Sequence, residues 1–161
     1  MRRVRWLFAP FVALSVPTPA EAACNGLAGC SCTVTASGVS FGNYNPLSST
    51  PSDVTGTVQV NCTLLLALAG SFTVDLSAGG SGAFSQRRLR RGTDSLAYNL
   101  YTDAARTQIW GDGTGGSTRV TRNFAALLNF TDTMTVYARL PARQNVSAGS
   151  YSDTMIVTVT Y

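Results

Sequence analysis

The last twelve residues, 150–161, read SYSDTMIVTVTY, and they limit the fold more than any other stretch. Met155, Val157, Val159 and Tyr161 fall on one face of an extended chain, with Thr154, Ile156, Thr158 and Thr160 on the other. Alternation with period two, rich in β-branched residues, marks a strand with one buried face. The same device recurs upstream. Residues 32–41 start with it until Gly38 breaks the pattern, and 54–62 place Val54, Val58, Val60 and Cys62 against Thr57, Gln59 and Asn61. Residues 71–76 repeat it with Phe72, Val74 and Leu76, residues 96–102 form another strand, and 133–140 carry Met134, Val136, Ala138 and Leu140. Turn formers fill the gaps at 42–53, 78–95 and 111–116. No amphipathic helix is legible. The expected class is an all-β, antiparallel β-sandwich, with a closed barrel as the structural alternative. Nothing is expected to pair with the outer side of the strand ending at Tyr161. A strand left this way offers its backbone donors and acceptors to another chain.

The opening residues have a different character. Arg2, Arg3 and Arg5 precede an apolar run, 6–16, interrupted by Pro10, and Ala20-Glu21-Ala22 follows as an A-x-A cleavage site. This is the pattern of a secretory signal peptide over 1–22, leaving a domain over 23–161. The apolar run is too short to cross a bilayer and no later segment approaches that length, so the chain is not expected to be transmembrane. Removing the leader takes three of the twelve Arg and the sole Glu, leaving nine Arg against seven Asp, a net charge of +2. So small an excess does not call for nucleic acid as a partner.

The chain has no His and no Lys. The usual acid, base and transition-metal ligand is therefore missing, and a Ser or Cys nucleophile would lack its customary base. No catalytic residue, cofactor or metal site is expected; an aspartate-dependent hydrolase is the remote alternative. Arg87, Arg88, Arg90 and Arg91 are the densest charge and read as a solvated loop. Asp112, in GDGTGG, reads as a turn, because neither the carboxylate series of an EF-hand nor the Lys of a P-loop accompanies it.

Four cysteines, Cys24, Cys30, Cys32 and Cys62, lie beyond the leader. An even number in an exported chain points to disulfides. Three pairings are open, and Cys32–Cys62 with Cys24–Cys30 is favoured because it ties two expected strands together and closes one small loop. Zinc is the rival occupant, disfavoured without His in an oxidising compartment.

Five stretches, in order, carry a resemblance: CTVTASGVSFGNYNPLS, GTVQVNC, LAYNLYTDAARTQIWGDGTGG, TVYARLPARQNVSAGSYSD and TMIVTVTY. Together they resemble the spore coat protein U domain, a family that includes subunits of archaic chaperone–usher pili, over about 32–161. The resemblance implies an immunoglobulin-like sandwich lacking its last strand. A periplasmic chaperone would lend a strand beside the C-terminal one, and a neighbouring subunit's N-terminal extension would replace it during assembly at an usher. Met155, Val157, Val159 and Tyr161 are then the expected chaperone and donor-strand contacts. The implied product is an exported, cell-surface pilus subunit that passes through the periplasm and serves adhesion and biofilm formation.

Two departures from the family pattern stand out. Only ACNGLAGCS precedes the first cysteine strand, too short and Gly-rich to act as a donor, as expected for a subunit at a fibre end or for no fibre component at all. Apolar runs, LLLALA at 64–69 and FAALL at 124–128, fall in expected connections. Leu64, Leu65, Leu66 and Leu68 are therefore candidate adhesive loop residues for abiotic or polysaccharide surfaces, the bland alternative being extra strand or core. The competing functional reading is a self-standing secreted carbohydrate- or surface-binding β-sandwich whose last strand pairs within its own fold.

Overall fold

The computed structural model describes residues 2–8, 20–23, 30–64, 68–126 and 129–161. Among them run eleven strands: β1 (Arg2–Phe8), β2 (Ala20–Ala23), β3 (Cys30–Ala36), β4 (Ser52–Leu64), β5 (Leu68–Leu76), β6 (Arg88–Arg91), β7 (Asp94–Ala97), β8 (Asn99–Tyr101), β9 (Val120–Ala126), β10 (Asn129–Leu140) and β11 (Asp153–Thr160). One sheet has the order β1-β11-β5-β9, the second β2-β3-β4-β10-β8, and β6-β7 form a separate hairpin. Every strand pairing is antiparallel.

The alternation read in the sequence is what closes the core. Val58, Val60, Cys62 and Leu64 of β4, with Met134, Val136, Ala138 and Leu140 of β10, are buried from one sheet. Phe72, Val74 and Leu76 of β5, with Met155, Val157 and Val159 of β11, are buried from the other. Leu64 apart, both sets belong to a single apolar cluster, the arrangement of two sheets packed face to face. Trp110, fully buried, donates its indole N–H to the Val74 carbonyl at 2.9 Å, which pins the 102–119 connection to β5. Cys32 and Cys62 sit opposite each other across β3 and β4 and are joined by a disulfide, with Cα atoms 4.0 Å apart.

Several expected loops carry structure. The stretch 78–95 contains two single 3₁₀ turns, Gly79–Ser81 and Phe84–Gln86, then β6 and the start of β7. The single strand expected over 96–102 is two strands broken at Tyr98, because β7 pairs with β6 whereas β8 pairs with β10. The first core strand ends at Ala36, two residues before the Gly38 at which its alternation breaks. Leu64 ends β4 and Leu68 begins β5, and Phe124 to Ala126 belong to β9, a strand the sequence reading did not anticipate. Short apolar runs are equally compatible with strand and with covered loop, and here the described residues of each run, Leu64, Leu68 and Ala69 in one and Phe124 to Ala126 in the other, are strand.

The largest correction concerns the last strand. β11 was expected to have one open side, but in the full chain it is paired on both, with β5 and with β1. The second partner comes from residues 2–8, inside the segment set aside as a leader. RRVRWLF carries Val4, Trp6 and Phe8 at alternate positions, a pattern as compatible with an extended ribbon as with the apolar run of a signal peptide.

Candidate functional site

β11 is held from one side by its own sandwich. Val157 to Thr160 register with Leu76 to Thr73 of β5. The pairing is extended at Ile156, whose N–H donates to Ser77 Oγ and whose carbonyl accepts from the Ser77 N–H, each at 2.9 Å. Burial along β11 alternates residue by residue: Met155, Val157 and Val159 are buried, and Thr154, Ile156, Thr158 and Thr160 are half-covered. Tyr161, the next residue, is half-buried against the core. On the opposite side of the strand, Arg2 registers with Val159, Val4 with Val157, Trp6 with Met155 and Phe8 with Asp153. From Asp153 to Val159, β11 is thus paired on this side with a seven-residue ribbon that is remote in sequence.

A buried polar clamp fixes the start of β11. The Asp153 carboxylate accepts from Tyr98 Oη at 2.7 Å, from the Gly80 N–H at 2.9 Å and from the Thr154 N–H at 2.8 Å. A Cβ at Gly79 would collide with this carboxylate, and Gly79 also has φ +69°, so the turn requires glycine twice over. Beside it, Arg87 is fully buried. Its guanidinium donates to the Ser77 carbonyl at 2.7 Å, the Trp110 carbonyl at 2.6 Å and Asn99 Oδ1 at 2.9 Å, and it lies 5.4 Å from the centre of the Phe84 ring. Burial lowers the Arg87 pKa to about 10, and burial likewise raises that of Tyr98.

The arginine-rich stretch is therefore not one solvated loop. Arg87 is interior, Arg88 donates to Ser95 Oγ at 3.2 Å, and Arg91 lies 3.7 Å from Asp94 in a hairpin ion pair. Arg90 is exposed, with its backbone bridged to Ser152. The period-two signal was present in the sequence: Arg87 and Leu89 are two apart and both are buried, but a run of four cations drew attention to charge instead. Asp112 accepts from Thr114 N and Oγ1 at 2.9 and 2.6 Å, and these bonds lower its pKa. The geometry is that of a turn. Among the described residues no group of His, Cys, Asp or Glu is arranged to hold a metal ion.

The two apolar connections come to the same end of the sandwich. Leu68 registers with Ala126 in one sheet and Thr63 with Asn129 in the other, so the β4–β5 and β9–β10 crossovers lie together. Beneath them Phe124 and Phe130 stack at 4.6 Å, and Phe72 lies 5.9 Å from Phe130. Leu64 is a core residue, 2% exposed, because it ends β4 on the inward face, so it is no part of an exposed tip. Leu68 is a strand residue at a register position, and Leu65 and Leu66 lie outside the described residues, as does Cys24 with the Cys24–Cys30 pairing.

The molecule is an all-β sandwich whose last strand takes its second partner from a remote segment of the same chain. The chain belongs to the spore coat protein U domain family, whose model matches residues 22–158. It is 33% identical over 132 residues to Protein U of Myxococcus xanthus, covering 76% of this chain and 71% of that protein. A chain of the CsuC–CsuE chaperone–tip adhesion subunit pre-assembly complex, from the archaic chaperone–usher Csu pili of Acinetobacter baumannii, has the same fold. The TM-score is 0.54 at 20% identity, over 82% of this chain and 40% of that one. The chain thus spans two fifths of the solved chain, and the likeness is one of fold.

Proposed function

We propose that this protein is an exported, non-enzymatic pilus subunit whose fold is completed by a strand laid beside β11. The carrying observation is the seven-residue register of Arg2–Phe8 along that strand. In the full chain this lane is filled by the leader. Cleavage after Ala22 would remove β1 and leave Met155, Val157, Val159 and Tyr161 bordering an unfilled lane, with the backbone of β11 free to accept a periplasmic chaperone's strand and then that of a neighbouring subunit. Strand addition of this kind draws affinity from main-chain hydrogen bonds and specificity from alternate side chains. Family membership supports the reading, as does the fold shared with a complex described as a chaperone–subunit pre-assembly. Passage through the periplasm, usher-dependent assembly and display at the cell surface are parts of the same proposal.

The test compares the full chain with a chain starting at Ala23. The shorter chain alone should aggregate or unfold without cooperativity, and a synthetic peptide of residues 2–8, or the cognate chaperone, should restore a soluble, cooperatively unfolding species. A soluble monomer of 23–161 with cooperative unfolding and no gain from either addition would sink the proposal and favour the self-standing secreted sandwich.

A second reading, adhesion to hydrophobic surfaces through the crossover end, is favoured by the registers of Leu68 with Ala126 and of Thr63 with Asn129, which bring the strand ends flanking both apolar runs together.

A further inference from the structure

Away from β11 the molecule contains a second concavity. A cavity of about 490 Å³ opens between the loops 39–46 and 146–151. Its floor is apolar and buried: Leu89, Leu96, Leu140 and the ring of Tyr151. Phe41 and Tyr44, both half-buried, stand at its wall. Ser40, Asn43, Ser147 and Ser150 form an exposed polar mouth, and among the described residues none of these four side chains has a hydrogen-bond partner. No charged residue lines the cavity.

The walls are tied in place. Tyr44 Oη donates to the Pro141 carbonyl at 3.0 Å and accepts from the Gln144 N–H at 2.7 Å. The Gln144 side chain in turn brackets the Ala97 backbone, donating to its carbonyl at 2.9 Å and accepting from its N–H at 2.6 Å. Tyr151 Oη donates to the Ser147 carbonyl at 2.8 Å, and Phe41 packs edge-on to Tyr98 at 6.0 Å. A concave, pre-formed cavity of this size, with an apolar base and a few polar groups at the rim, is the usual form of a small-molecule site.

We infer that this cavity binds a neutral hexopyranosyl unit. The absence of lining charge selects an uncharged ligand. A pyranose offers an apolar C–H face to the aromatic wall and floor, and its hydroxyls reach the uncommitted Ser and Asn side chains at the mouth. An alkyl chain of similar volume would cover the floor but make no hydrogen bond with the groups at the mouth, which would stay with water. No residue of β11 lines the cavity, so the inference stands apart from strand addition.

The test uses the full chain and saturation-transfer NMR with methyl glycosides of glucose, galactose, mannose and N-acetylglucosamine, and 1-octanol as the alkyl comparison. At least one glycoside should bind with Kd about 1 mM, the range open to a ligand of this size. Asn43→Ala should weaken it about five- to tenfold. Ala148→Trp, which fills the mouth from an exposed position, should abolish it, both with melting temperatures unchanged. Binding of 1-octanol alone, no glycoside binding, or glycoside binding indifferent to both substitutions would each overturn the inference.

Discussion

At Tyr98 a single hydroxyl decides how the start of β11 responds to alkali. It donates to the buried Asp153 carboxylate at 2.7 Å, and burial, then the adjacent carboxylate, raises its pKa. A hydrogen bond to a charged acceptor contributes about 2 kcal/mol, so Tyr98→Phe should lower stability by that amount at pH 7, read by urea unfolding. Because the folded state keeps this proton after the unfolded tyrosine loses it near pH 10, the contribution is intact below about pH 10. Above that it falls by about 1.4 kcal/mol per unit. The gap between wild type and Tyr98→Phe should therefore close at about pH 11–12. A gap that stays constant with pH would show that the hydroxyl is not held protonated by the fold. The clamp was invisible in the sequence, because Tyr98, Asp153 and Arg87 are brought together by β-pairings that no local pattern specifies.

Individual strands were far more legible than their partners. β4, β10 and β11 follow from alternation alone, since each is long and has a clean buried face. β9 was missed because VTRNFAA shows no alternation of apolar and polar residues, and the β6–β7 hairpin because RLRR hides one apolar residue among cations. The disulfide was legible because Cys32 and Cys62 each lay within an expected strand. Its register position, opposite partners in β3 and β4, bears on how the sheet edge is held. The bridge closes a loop of sequence separation 30, for which loop-closure entropy gives about 3–4 kcal/mol. Cys62→Ser should lower unfolding stability by about that much under oxidising conditions and leave a reduced sample unchanged relative to reduced wild type. An equal loss in the reduced pair would place the cost in packing of the serine rather than in the cross-link.

The whole molecule has two distinguishable regions: the flank where β1 covers β11, and the end where both crossovers meet. The crossover end is built on the Phe72, Phe124 and Phe130 stack, and from it both apolar connections emerge. With Leu64 fixed in the core, any adhesive contribution falls to residues further along the connection. Large exposed apolar patches on soluble domains commonly serve contact with another surface, and on the proposed reading a strand added along the flank leaves this end of the sandwich uncovered. Leu65→Ser together with Leu66→Ser should cut adsorption to a hydrophobic surface by about tenfold, while the yield of folded protein and the unfolding midpoint remain at wild-type values. Replacing Leu64 with Ser should instead destabilise the domain by about 2–5 kcal/mol, because it removes a buried core side chain and leaves a hydroxyl in its place. If the double substitution lowers the unfolding midpoint as Leu64→Ser does, the connection is core and the adhesive reading falls. If adsorption is unchanged with the fold intact, the surface contact lies elsewhere on the molecule.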